Sequence, residues 1–189
     1  MKATVFMPKT SIRMFIDKIE GENAKVIIEG NNLDEASKAA QDFLEGKENG
    51  GYVSPYNHPK IWDGNSTLID EVVEQMGRKP DAVIASVGGG GLLVGIIMGM
   101  QRHGWNDVPV YGVETRGATA FAQSLAKGEV VTLDSVNTIA TSIASKTITP
   151  ELLRLSKIHP TSALVYSDRE AVEAILKFLD DHKVLVEPA

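Results

Sequence analysis

Residues 85–93 read ASVGGGGLL: the end of an apolar strand, four consecutive glycines, then the start of an apolar helix. A residue without Cβ lets the backbone approach a ligand closely and adopts left-handed dihedrals freely. Successive N–H groups at the head of a helix point outward, and the helix dipole favours an anion there. Gly88, Gly89, Gly90 and Gly91 are therefore expected to cradle a phosphate. The turn would lie at the carboxyl end of a parallel strand, where open α/β sheets bind ligands. Each glycine costs about 0.5–1 kcal/mol in ordering relative to alanine, and a plain strand-to-helix turn needs only one or two of them. A nucleotide P-loop ends in Gly-Lys-Ser/Thr, whereas Leu92 and Leu93 stand there in this chain. The dinucleotide fingerprint G-x-G-x-x-G/A fails as well, because its last position falls on Leu93 or Val94. Glu114, at the end of the following strand, lies near the distance of a ribose-binding acid. It keeps a dinucleotide-binding α/β domain as an alternative.

Outward from this turn, strands alternate with helices, the pattern of an open, mostly parallel twisted α/β sheet with flanking helices. Strands are expected at 3–7, 25–29, 82–87, 110–114 and 163–166. Helices are expected at 11–20, 33–44, 66–77, 92–103, 118–127, 150–157 and 168–180, with a short helical turn near Ile139. Ile12, Phe15, Ile16 and Ile19 share one face of the first helix, which Thr10 or Ser11 can cap and Gly21 can end. Leu33, Ala36, Ala40, Phe43 and Leu44 face inward from the second, and Ala171, Ile175, Phe178 and Leu179 from the last. Asn57–Gly64, NHPKIWDG, reads as a loop. The polar, glycine-rich stretch 45–51 marks a lobe boundary, giving a first lobe at 1–52 and a second at 53–189.

The chain has 189 residues, of which 43% are hydrophobic and 23% charged, close to the globular average and unlike a disordered or coiled-coil chain. Its formal net charge is -6, with 19 Lys+Arg against 25 Asp+Glu, and no basic stripe. That argues against a nucleic-acid partner or an anionic membrane surface. Mean hydropathy is -0.06, and no apolar run approaches the roughly 20 residues of a membrane span. Residues 1–10 are too short and too polar for a secretory signal core. There are no cysteines, so disulfides, thiolate metal sites and a cysteine nucleophile are excluded; a reducing, cytoplasmic compartment is expected. His58, His103, His159 and His182 lack zinc spacing and read as surface or loop histidines. Trp62 and Trp105 read as packing residues.

SVGGGGLL at 86–93 followed by VYGVETRGA at 110–118 closely resembles the serine/threonine ammonia-lyases (dehydratases) of the fold-type II, tryptophan synthase β-like, pyridoxal-phosphate enzymes. Three other stretches agree in order and spacing: VFMPKTS at 5–11, SPYNHPKIWDGNST at 54–67, and SDREAVEAILKFLDDHKVLVEPA at 167–189. The resemblance covers essentially the whole chain and lies nearest the eukaryotic L-serine dehydratase type. It implies a partial two-domain architecture, with 1–52 in a small domain and 53–189 in a large cofactor-binding one. The implied activity is β-elimination of L-serine or L-threonine to pyruvate or 2-oxobutanoate and ammonia. The cofactor would be pyridoxal 5'-phosphate, its phosphate held by Gly88, Gly89, Gly90, Gly91 and the Leu92 amide. A potassium or magnesium ion would be held by the Glu114 carboxylate and the carbonyls of Gly88, Ala118, Ile143 and Ser145, oxygen donors that suit a hard cation. A homodimer and an amino-acid substrate are implied too.

The same resemblance implies what these residues lack. The family's cofactor-linked lysine lies in a Ser-x-Lys motif and its substrate-carboxylate loop in a Ser-S-G-N motif, both expected before Met1. The partner of the pyridine nitrogen is expected after Ala189. Of the lysines that could replace it, neither Lys2 nor Lys146 carries the motif, and no catalytic residue is assigned. The chain is then expected to be a truncated segment, inactive alone. The alternatives are a non-catalytic phosphate- or cofactor-binding lobe, or a truncated gene product.

Overall fold

A computed structural model describes residues 3–189; Lys2 lies outside the described residues. The chain divides into two compact units, Met1–Ser54 and Pro55–Ala189.

The first unit contains β1 (Thr4–Met7), α1 (Arg13–Gly21), β2 (Lys25–Ile28) and α2 (Leu33–Asp42). β1 and β2 pair in parallel, Thr4 opposite Lys25 and Met7 opposite Ile28. α1 starts later than Thr10 or Ser11 could cap. The Ser11 N–H donates to the Pro8 carbonyl at 2.9 Å, which folds Ser11 into a turn ahead of the helix. Ile12 takes the cap position with no side-chain bond. Gly21 does not end the helix by a left-handed turn; Asn23, at φ 61°, makes the reversal. α2 begins as its sequence suggests, the Glu35 N–H donating to Asn32 Oδ1 at 3.0 Å. Of the faces expected to pack inward, Ile16 and Ala36 are buried, while Ile12, Phe15, Leu33 and Phe43 stay exposed.

The second unit is a three-stranded parallel sheet in the order β3 (Val83–Ser86), β4 (Val110–Thr115), β5 (Thr161–Tyr166). Val83 lies opposite Val110, and Val110 opposite Thr161. Its helices are α3 (Pro59–Met76), α4 (Gly91–Arg102), α5 (Ala120–Lys127), α6 (Pro150–Ser156) and α7 (Asp168–His182), with a 3-10 turn at Thr141–Ile143. α4 is the centre of the core. Leu93, Val94, Ile96, Ile97 and Met100 are fully buried with Ile69, Phe121, Leu152 and Leu155. Burial of each such side chain contributes about 1.5–3 kcal/mol.

α3 starts seven residues before the expected Ser66. Pro59 occupies the first helical position, where its missing N–H costs nothing and its fixed φ suits the helix. His58 Nδ1 accepts the Lys60 N–H at 3.1 Å. The stretch 57–64 is therefore a helix start, with Gly64 carried inside the helix. α3 approaches α4 closely because Gly95 and Gly99 present no side chain to it. A Cβ at Gly95 would lie 2.4 Å from Asn65 Cβ and 2.8 Å from the Trp62 carbonyl; one at Gly99 would lie 2.6 Å from the Ser66 carbonyl. The far end of the pair is clamped. Arg102 Nη2 donates to both Asp70 carboxylate oxygens at 2.7 Å, and His103 Nε2 lies 2.6 Å from Asp70 Oδ1. The bonds from Arg102, then His103, hold the Asp70 carboxyl below the usual carboxylate range. His103 thus belongs to an ion-pair cluster.

α7 carries a full capping box between Ser167 and Glu170, yet buries no residue completely. Ala171, Ile175 and Leu179 are half-buried and Phe178 is exposed. His159, expected at the surface, is buried, with Nε2–H donating to the Val108 carbonyl at 2.9 Å. Burial pushes its pKa down.

Gly95→Ala and Gly99→Ala should each destabilise the protein by about 1–3 kcal/mol, the usual cost of overpacking. Gly64, in the same pair of helices, has open space at its Cβ position, so Gly64→Ala should stabilise by about 0.5–1 kcal/mol. Urea unfolding of the three variants checks the contrast, and equal effects at all three sites would refute it.

Candidate phosphate-binding site

β3 delivers the chain to the turn. The Val87 N–H still bonds the Val113 carbonyl at 2.9 Å, one residue past the strand. Gly90 then takes φ +89° and caps α4, a conformation that favours glycine. Each wall of the turn needs a missing Cβ. One at Gly88 would meet Ile143 Cα at 3.0 Å, one at Gly89 the Tyr56 ring at 2.2 Å, and one at Gly91 the Tyr56 carbonyl at 2.5 Å. Trp62 Nε1–H donates to that same Tyr56 carbonyl at 2.7 Å.

The turn's carbonyls and amides are treated differently. The Gly89 carbonyl accepts the Thr149 N–H at 2.8 Å, and the Gly90 carbonyl accepts the Val94 N–H at 3.0 Å. Among the described residues, no protein acceptor takes the N–H of Gly88, Gly89, Gly90, Gly91 or Leu92. The first turn of α4 has no acidic residue to compete for them. Five free donors at the positive end of a 12-residue helix suit an anion such as phosphate in number and charge.

Glu114 ends up elsewhere in the chemistry. It is only 1% exposed. Its Oε1 accepts the Phe121 N–H and its Oε2 the Ala122 N–H, each at 2.8 Å, so the carboxylate caps the head of α5. Burial pushes its pKa up, and the two amide bonds oppose that. Each oxygen is bonded to an amide of α5, so Glu114 is committed to that helix head and the dinucleotide alternative loses its ribose-binding acid; the second lone pair of each oxygen is what a cation can share.

The other residues expected around a cation fall near one another in part. Gly88 packs on Ile143, whose carbonyl accepts the Ser145 N–H at 2.8 Å. The Ala118 N–H donates to the Thr115 carbonyl at 2.9 Å. Ser86, Glu114, Thr115 and Ile143 line a cleft of about 570 Å³ at the carboxyl ends of the strands. Among the described residues, no group of three or more His, Asp or Glu side chains could hold a metal, so any cation here would depend on Glu114 and carbonyls. Lys146 is occupied, its Nζ donating to the Asp134 carbonyl at 2.7 Å. Four residues beside the site carried no assignment in the sequence: Tyr56, Asn57, Thr115 and Thr149. Only Thr149 had a local signal, a threonine directly before Pro150 at a helix start.

Compared with known proteins, residues 1–189 match the pyridoxal-phosphate dependent enzyme family from end to end. The chain belongs to that family. It is 40% identical over 187 residues to the L-serine dehydratase/L-threonine deaminase of Mus musculus, covering 99% of this chain and 57% of the mouse protein. It is 38% identical over 197 residues to the L-serine dehydratase of Dictyostelium discoideum, covering 100% of this chain and 56% of that protein. The solved fungal L-serine ammonia-lyase from Rhizomucor miehei superposes with a TM-score of 0.90 at 39% identity, over 99% of this chain and 59% of the fungal one. Processed threonine deaminase isoform 2 from Solanum lycopersicum gives 0.88 at 26% identity, over 99% of this chain and 51% of that one. The chain spans a little over half the length of these family members. Pyridoxal phosphate is the cofactor of the family, and the unpaired amides of 88–92 are donors of the kind an anionic group takes. Among the described residues, no helix is long and apolar enough to cross a membrane.

The Glu114→Gln variant keeps one acceptor and turns an NH2 group towards the other helix amide. It should lose about 1–3 kcal/mol of stability, the cost of an unmatched buried donor. Because the folded pKa of Glu114 is raised, the folded state binds the extra proton. The contribution of the carboxyl is complete below the unfolded value near 4.5 and falls as pH rises through the folded value. The stability gap between wild type and Glu114→Gln should therefore narrow as pH rises above about 4.5. Urea unfolding across pH, without added potassium or magnesium, checks this; a gap that widens would refute it.

Proposed function

We propose that the chain holds the phosphate of pyridoxal 5'-phosphate with the amides of Gly88, Gly89, Gly90, Gly91 and Leu92. It would serve a lyase that converts L-serine or L-threonine to pyruvate or 2-oxobutanoate and ammonia. The observation that carries this reading is the run of five unpaired N–H groups at the head of α4. The names of the mouse, Dictyostelium and fungal relatives support the substrate class.

Each residue has a definite part in it. The amides and the α4 dipole fix the anionic end, and the glycines at 88–91 let the turn pack against Tyr56, Ile143 and Leu152 with its amides left free. Tyr56 and Ile143 wall the turn on two sides. When bound, the cofactor supplies the electron sink for the charge left by removal of the substrate α-proton. None of the lysines in these 189 residues carries the Ser-x-Lys motif, so the chain contributes binding and orientation, with no base assigned. Residues 1–52 are read as part of a small domain and 53–189 as part of the large one. The Glu114 carboxylate and the carbonyls of Gly88, Ala118, Ile143 and Ser145 are read as a site for potassium or magnesium. A cytoplasmic homodimer is the expected setting, supported by the lack of cysteine and by exposed Leu176 and Leu185.

Two measurements test this. Pyridoxal phosphate should bind the purified chain and be displaced by inorganic phosphate, and borohydride should fix no stoichiometric adduct at a single lysine. Failure of phosphate to compete would sink the cradle, and a single-site adduct would show that a lysine in this chain serves. Potassium should raise the urea midpoint of wild type and leave Glu114→Gln unmoved; the same rise in both would remove the cation assignment.

A further inference from the structure

A glycine turn binds an anion only if its amides are aimed, and glycines do not aim themselves. Val87 fixes the strand side of this turn through Val113, and Gly90 fixes the helix side through Val94. Between them lies the Gly89–Gly90 peptide. Its carbonyl has one bond, from the Thr149 N–H at 2.8 Å. In a trans peptide the C=O and the following N–H point in opposite directions. Pinning the Gly89 carbonyl towards Thr149 therefore turns the Gly90 N–H away from Thr149, to the side on which the cradle reading places the other free amides. A flip of this one plane would put a carbonyl oxygen among them and repel a phosphate.

Thr149 is itself held. It is fully buried and opens α6. Its hydroxyl donates to Asn57 Oδ1 at 2.7 Å, across 92 residues of sequence, and accepts the Glu151 N–H at 3.4 Å. Asn57 precedes His58, the cap of α3. The heads of α3 and α6 and the glycine turn thus meet at one threonine. We infer that Thr149, clamped by Asn57, is a positioning residue that locks the Gly89–Gly90 peptide in its phosphate-binding orientation. This rests on the reading of 88–92 as a phosphate cradle.

The test compares pyridoxal 5'-phosphate with pyridoxal, which lacks the phosphate, by equilibrium dialysis against the full chain. Wild type should prefer the phosphorylated form. Thr149→Val removes the hydroxyl and keeps the backbone N–H; Asn57→Ala removes the acceptor and leaves the α6 cap intact. Each should weaken pyridoxal phosphate about five- to tenfold, the scale of one hydrogen bond, with pyridoxal unchanged. Thr149→Ser should restore the wild-type preference. Folded variants, checked by circular dichroism, that keep the preference would overturn the inference and leave the cradle standing. Equal losses for both compounds would also overturn it, because they would mark a general structural role. A wild type without any preference would overturn the cradle and the inference together.

Discussion

The close approach of two helices, made by removing side chains from one of them, is the constraint on which the second unit depends. Gly91, Gly95 and Gly99 recur every four residues along one edge of α4, and each would collide with α3 or the segment before it if it carried a Cβ. This edge sets where α4 sits against Tyr56 and Trp62. It therefore sets where the head of α4 opens relative to the ends of the strands. The apolar residues between the glycines bury the opposite side of α4 against Phe121 and Leu152. One helix thus meets two demands: it is apolar enough to be the core, and bare enough at its head to leave its amides free.

Two helix heads lie along the same strand-end edge, and the chain treats them in opposite ways. The head of α5 is closed from within by the Glu114 carboxylate. The head of α4 has no acid in its first turn and no side chain at its cap. Both present positive partial charge. Closing one internally and leaving the other open makes the open one the place for an external anion. The contrast also explains why Glu114 misleads as a sequence feature. Its place at the end of the strand suits a ligand-binding acid, but a carboxylate there also reaches the next helix head, and in the fold that contact is made.

The fold was legible where periodicity and local chemistry act over a few residues. The five parallel strands and seven helices are of that kind, as is the glycine turn after an apolar strand. What was hidden depended on partners far away in sequence. Asn57 and Thr149 look like ordinary polar residues at two helix starts, and only the tertiary fold joins them. His159 reads as a surface histidine, but the fold buries it with Nε2–H on the Val108 carbonyl. The start of α3 is hidden for a local reason: Pro59 and Gly64 look like loop residues, yet one is suited to the first helical position and the other is tolerated inside a long helix.

The free amides and the buried carboxylate also bear on stability. An unpaired donor and a desolvated charge are both costs to the folded state. In this unit they cluster at the carboxyl edge of one sheet, where Thr115 Oγ1 is a further buried atom without a partner among the described residues. Packing offsets these costs: α4 is held in the core with fully buried Ile69, Phe121 and Leu152. A ligand that met the amides would bind the folded chain and not the unfolded one, stabilising it by RT ln(1 + [L]/Kd). At a hundredfold excess over Kd that is about 2.7 kcal/mol, comparable to the net contribution of a few internal hydrogen bonds. The cradle and the core are therefore linked through α4: strengthening the packing of α4 fixes the donors, and filling the donors in turn secures the head of the helix on which the packing is built.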